Sequence, residues 1–203
     1  MEVVYPFMMS KCFRNLLIFT IMTTYTSMLR GINVGGHKRI KMDQLRTSFE
    51  ALGFEQVKTY IQSGNVVFQG GKLSTAALSR KIEAKILSDF GFPVSVISRT
   101  KDEMEKAIQS NPFLKERGID LTKLHVTFLS EAPAPAALKK MQALIAAPDQ
   151  SRCLGKEIYF YLPNGVSQSS LWKIPWERTL SVVTTMRNWR TVNSLYQMCL
   201  DCR

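Results

Sequence analysis

An α+β fold in two subdomains follows from three features of the sequence. Apolar residues recur every second position in short runs and every third or fourth in longer ones, and the two kinds alternate. Glycines mark the joins. The order over residues 22–99 is β-α-β-β-α-β, the split motif of ferredoxin-like folds. That order predicts a four-stranded antiparallel sheet with two helices on one face. Residues 100–203 are predicted to form a second, smaller α+β subdomain with C-terminal helices, packed on the first.

Each element has its own signal. Thr24 to Arg30 is rich in β-formers and reads as a strand. Met42, Leu45, Phe49 and Leu52 share a helical face, and Gly53 stops that helix. Val57, Thr59 and Ile61 alternate with Lys58, Tyr60 and Gln62 as a strand; Ser63 and Gly64 turn the chain, and Asn65 to Gln69 returns. Ser74 caps a helix carrying Leu78, Ile82, Ile86 and Phe90, and Pro93 to Ser98 is a strand after Gly91. Thr100 and Glu103 form a capping box for a helix to about Gln109. Leu124 to Leu129 is a strand, and Ala132 to Ala147 a helix opened by prolines. Arg152 to Leu154 and Glu157 to Leu162 pair across Gly155 and Lys156. Two helices are expected near 169–180 and 186–198, the second capped by Thr184 or Thr185.

Lys and Arg number 27 against 16 Asp and Glu, for a net charge of +11. Such a balance favours anionic partners. The four cysteines, Cys12, Cys153, Cys199 and Cys202, are irregularly spaced, which argues for reduced thiols in a cytoplasmic protein rather than a disulfide framework. Cys199 and Cys202 form a CxxC without a second pair, and they read as incidental thiols at a frayed terminus. No metal and no cofactor are expected. Residues 1–21 read as an N-terminal extension, with Met22 as the start of the core. The apolar run Asn15 to Met22 is too short to span a bilayer, so no membrane partner is expected.

The stretch Arg30 to Met42 places three glycines and, after them, four basic residues, His37, Lys38, Arg39 and Lys41, before a helix. Gly31 and Gly36 have P-loop spacing, but His37 replaces the required Lys and Arg39 the required Ser or Thr, which excludes that nucleotide chemistry. GxGxxG is absent. An anion site remains: close-approaching backbone, a helix N-terminus and positive side chains. Parallel first and second strands of a split motif bring loop 30–41 and the turn 62–65 to one edge. The expected ligand-binding set is Arg30, Asn33, Gly35, Gly36, Lys38, Lys41, Ser63 and Asn65. Arg187 and Arg190, three apart in an expected helix, complete it. His37 is the weak candidate for acid–base catalysis, without an identifiable carboxylate orienter. His125 sits mid-strand and reads as structural. Tyr159 and Tyr161 share a strand face, but the RNP pattern of a base-stacking sheet is absent.

Three stretches, LRGINVGGHKRIKM at 29–42, LGFEQVKTYIQSGNVVF at 52–68 and TTMRNWRTV at 184–192, resemble the bacterial family known as domain of unknown function 1697, with PNG at 163–165 a weaker match. The likeness covers about residues 22–198. It implies a two-subdomain α+β fold in a soluble bacterial protein and no activity. Family members tend to follow PNG with a glycine and Ser-Lys-Leu; here Val166 to Leu171 intervene, without the lysine.

The favoured function is binding of a small phosphate- or carboxylate-bearing ligand in a basic cleft. The alternatives are nucleic-acid binding, supported by the surplus charge, and an enzyme acting on a phosphorylated or carboxylated small molecule. Nothing in the sequence fixes an oligomeric state.

Overall fold

The computed structural model describes residues 22–202; the expectations for the extension 1–21 and for Cys12 lie outside them. Strand β1 (Met22–Leu29) leads to α1 (Met42–Glu50), the hairpin β2 (Glu55–Tyr60) and β3 (Asn65–Gly71), then α2 (Thr75–Phe90) and β4 (Val96–Thr100). The sheet order is β2-β3-β1-β4, with every pairing antiparallel. This is the expected split motif. Its helical face buries Leu45, Phe49, Leu78, Ile82 and Ile86 against Tyr25, Val66 and Phe68. Ser74 caps α2, and Gly91 ends it in the left-handed conformation.

The capping box of Thr100 and Glu103 opens α3 (Lys101–Gln109) as expected. Then the first pattern recurs: β5 (Leu124–Leu129), α4 (Pro135–Ala143), β6 (Gln150–Leu154), β7 (Glu157–Tyr161), α5 (Trp176–Leu180) and β8 (Thr184–Asn188), followed by α6 (Trp189–Leu200). The second sheet is ordered β6-β7-β5-β8, the same order as the first. Each half is therefore β-α-β-β-α-β with a further helix at its end.

Two expectations are corrected here. The helix expected over 186–198 is a strand followed by a helix: residues 184–188 pair with β5, and Asn188, not Thr184 or Thr185, caps α6 through Thr191 N–H at 2.8 Å. The helix expected over 169–180 reduces to one 3-10 turn, Ser170–Lys173, and the short α5.

The sheet faces away from α1 and α2 and from α4 and α5 meet in a shared core. Met28, Val67 and Ile97 come from the first sheet, Val126, Phe128 and Tyr159 from the second, and Met104, Val192 and Leu195 from α3 and α6. Cys199 and Cys202 belong to this core, so the terminus is not frayed there. Burial pushes the Cys199 thiol up to about 11, which keeps it protonated and unreactive at neutral pH.

Two buried arginines cross between the halves in matching ways. Arg187, on β8, spends all five of its N–H donors: Nε on Asn65 Oδ1 at 2.6 Å, Nη1 on Thr185 Oγ1 and Met186 O at 2.8 Å each, and Nη2 on Leu29 O at 2.8 Å and Ser63 O at 3.2 Å. Arg99, on β4, donates from Nε to Glu157 Oε1 at 2.9 Å, from Nη1 to Ser98 O at 3.0 Å, and from Nη2 to Leu129 O at 2.7 Å and Lys156 O at 3.3 Å. Each sits in the fourth position of the last strand of its sheet. Each reaches the last carbonyl of the other half's first strand and the other half's central hairpin. The two are reciprocal clamps.

Burial pushes the Arg187 guanidinium down to about 10, so it remains a cation at neutral pH. Desolvating a cation costs several kcal/mol. Hydrogen bonds to a charged donor return about 1.5–3 kcal/mol each, so a full set offsets the cost and a partial set does not. Lysine keeps the charge but cannot reproduce the planar fork. Arg187→Lys and Arg99→Lys are each expected to lower the unfolding free energy by about 2–4 kcal/mol. Arg190→Lys, at an exposed site, should change it by no more than about 0.5 kcal/mol. Urea denaturation of the three variants measures both effects.

Candidate functional site

Loop 30–41 is built from the glycines upward. Gly35 and Gly36, at φ of 57° and 78°, form a two-residue turn closed by Val34 and His37, with His37 N–H on Val34 O at 3.0 Å. Both central residues need positive φ, which glycine supplies without strain. These glycines therefore shape a miniature hairpin. Asn33 ties it down: Oδ1 accepts from Ile40 N–H at 2.9 Å, and Nδ2 donates to Ile40 O at 3.0 Å and Gln62 O at 2.9 Å. Loop 30–41 and the turn after β2 thus share one sheet edge, as the topology requires.

In that turn Gly64 has no alternative. At φ of 75° a Cβ would come within 2.6 Å of Ile32 Cδ1 and 2.8 Å of Leu29 Cβ. Asn65 is fully buried; its Nδ2 donates to Tyr60 O and Ser63 Oγ, and its Oδ1 holds Arg187.

The expected ligand set therefore divides. Ser63, Asn65 and Arg187 do come together, but in the clamp, where Asn65 and Arg187 have no donor left for a ligand. Asn33, Gly36 and Lys41 line one open cleft of about 540 Å³ with Arg39, Gln44 and Gln62. Arg30 and Lys38 line another, of about 720 Å³, with Arg80, Glu83 and Glu177. Arg30 is ion-paired there with Glu177, and Lys38 Nζ donates to Pro93 O at 2.7 Å. Gly35, at the hairpin tip, lines neither. Arg190 is exposed on α6, and because Arg187 is in a strand the two do not share a helix face. The single basic pocket that the sequence suggested is thus not formed.

The first cleft has a simpler charge pattern. Arg39 and Lys41 are exposed, and among the described residues no acidic side chain lines it. It lies at the N-terminus of α1, where Lys41 is the N-cap and makes no side-chain capping bond. The first-turn amides are thus left to solvent or to a ligand. Sequence reasoning missed Gln44 and Arg80 as lining residues, and named Gln62 only as part of the turn 62–65. Arg39 stood in the basic run itself.

Neither histidine is built as an acid–base pair. His37 is exposed on the hairpin, and among the described residues no carboxylate bonds it. His125 is half-buried with Nδ1 at 3.2 Å from Lys123 O, and burial pushes its pKa down. Among the described residues no group of three or more His, Cys, Asp or Glu could hold a metal, and no helix is long and apolar enough to cross a membrane.

A family described as "Protein of unknown function (DUF1697)" matches residues 22–159. A solved structure, that of a conserved bacterial protein from Streptococcus pneumoniae, is similar at a TM-score of 0.71 and 28% identity, covering 88% of this chain and 99% of that one. No curated protein matches the chain.

The half-buried His125 gives a pH prediction. In the unfolded chain its imidazole protonates near about pH 6.5, whereas the folded chain keeps it neutral to lower pH. The folded pKa is depressed, so this contribution to stability is present above the unfolded value and is lost as the pH falls from there through the folded value. The melting temperature is expected to drop between about pH 7.5 and 5, and to drop less in His125→Gln. Thermal melts across that range test it.

Proposed function

Because the chain belongs to the family of proteins of unknown function DUF1697, which brings no activity with it, we propose from its geometry that it binds a small phosphate-bearing ligand in the cleft at the start of α1. The observation that carries this reading is the cleft's charge pattern: Arg39 and Lys41 on its walls, Gln44 and Gln62 as neutral donors, and no lining carboxylate. Two cations at a helix N-terminus oppose the helix dipole by about 0.3–1 kcal/mol each. A bound anion reverses that sign and takes the unpaired first-turn amides. Asn33 holds the hairpin and the β2–β3 turn in register, so the cleft is in place before the ligand arrives.

The amides of Met42, Asp43 and Gln44 should shift saturably in two-dimensional NMR when pyrophosphate is added. Arg39→Gln and Lys41→Gln should each weaken that binding by about tenfold, and Arg190→Gln should not. Absence of a saturable shift at about 20 mM pyrophosphate, or equal binding by the Lys41→Gln protein, would end this reading. A short oligonucleotide binding more tightly than pyrophosphate, with affinity falling steeply with salt, would put nucleic-acid binding in its place.

A further inference from the structure

A separate cleft of about 190 Å³ opens on the helix-covered face of the second sheet. Leu171, Trp172, Trp176 and Met186 supply most of its apolar surface; Thr127, Thr184 and Arg30 are its polar groups. None of these residues lines the phosphate cleft, so the two sites stand or fall separately.

Three features of this cleft point to an occupant. The first is Thr127. It is only 2% exposed, and its hydroxyl has no hydrogen-bond partner among the described residues. Buried polar atoms are almost always satisfied, so a buried hydroxyl left unpaired beside a cavity is an unmet bond waiting for a polar atom. The second is the pair of indoles. Trp172 N–H donates to Val166 O at 2.5 Å, and Trp176 N–H donates to Leu171 O at 3.1 Å. Their polar atoms are occupied, which leaves flat apolar faces. Trp172 is 71% exposed, and no large apolar side chain among the described residues is more so. A fixed and solvent-facing indole is a stacking surface for a planar ring. The third is Arg30. Its Nη1 is paired with Glu177, and among the described residues no second acceptor bonds the edge formed by Nε and Nη2. That edge matches a carboxylate in bidentate geometry.

Size narrows the ligand further. A cavity of about 150 Å³ is enough to take up benzene, so this cleft takes one six-membered ring.

We propose that the cleft binds a small one-ring hydroxylated aromatic carboxylate. The ring lies against Trp172 and Trp176, the ring hydroxyl bonds Thr127 Oγ1, and the carboxylate meets the free edge of Arg30. No covalent step is involved.

Isothermal titration of the full chain with 4-hydroxybenzoate, benzoate and cyclohexanecarboxylate tests this. Saturable one-site binding of 4-hydroxybenzoate is expected, with benzoate weaker by about tenfold for want of the hydroxyl. Cyclohexanecarboxylate, which cannot stack, should be weaker still. Thr127→Val keeps the side-chain shape and should remove the advantage of 4-hydroxybenzoate over benzoate while leaving benzoate unchanged. Trp172→Ala, at an exposed position that does not threaten the fold, should weaken both aromatic acids. The proposal is overturned by no saturable heat at about 10 mM of any of the three acids, by equal binding of cyclohexanecarboxylate, or by unchanged affinities in both variants. Pyrophosphate titrated into the Thr127→Val protein should bind as to the parent, which separates failure of this site from failure of the phosphate cleft.

Discussion

Two buried guanidinium groups, Arg99 and Arg187, hold the rest of the structure in place. Both lie within the protein, 1% and 9% exposed, and both bridge from the last strand of one sheet to the other half's first strand and central hairpin. A sheet face that is apolar only in part cannot by itself fix the angle and register of a second sheet. Directional bonds can. Each guanidinium must find the right set of oxygens or bear the full cost of its desolvation. The shared core of Met28, Ile97, Val126, Phe128 and Leu195 supplies the driving force, and the arginines select one arrangement of it. They do so with different chemistry. Arg99 has a carboxylate partner in Glu157, whereas Arg187 is held only by neutral oxygens.

The clamp also explains why the positive charge does not gather in one pocket. Asn65 and Ser63 face the loop edge in sequence, yet they are spent on holding Arg187. The remaining cations fall on either side of the hairpin at Gly35 and Gly36. Arg39 and Lys41 stay unpaired on the α1 side, while Arg30 on the other side meets Glu177 from the second half. Charge in the sequence thus becomes one acid-free cleft and one mixed cleft.

Much of the first half was legible because its local signals agree with its tertiary pairing. Ser74 and Gly91 bound α2, Thr100 and Glu103 open α3, and alternation through Val57 and Thr59 marks β2. The failures lie where pairing decides against local pattern. Thr184 to Asn188 is a five-residue strand with two threonines before an Asn-Trp-Arg run, and it reads as a helix start. Its pairing with His125 to Leu129 makes it a strand, and that partner is more than fifty residues away. Missing it hid the repeat of the split motif in the second half. It also moved Arg187 from a helix surface to a buried strand. A positive charge between Thr185 and Trp189 was the available clue, as was Arg99 after the apolar Val96 and Ile97. Thr127 gave no clue, since a threonine in a strand is ordinary and its unpaired hydroxyl emerges only from packing.

The direct test of the clamps uses the placement of the fluorophores. Trp172 and Trp176 pack within the second half and Trp189 sits in the shared core, so tryptophan emission weights the second half and the contact between halves, while far-ultraviolet circular dichroism reports both halves alike. Equilibrium urea unfolding of the parent chain should give coincident curves by the two probes. In the Arg99→Met, Arg187→Met double variant the curves should separate, with the halves unfolding at different midpoints. Coincident curves at the parent midpoint in that variant would contradict the account.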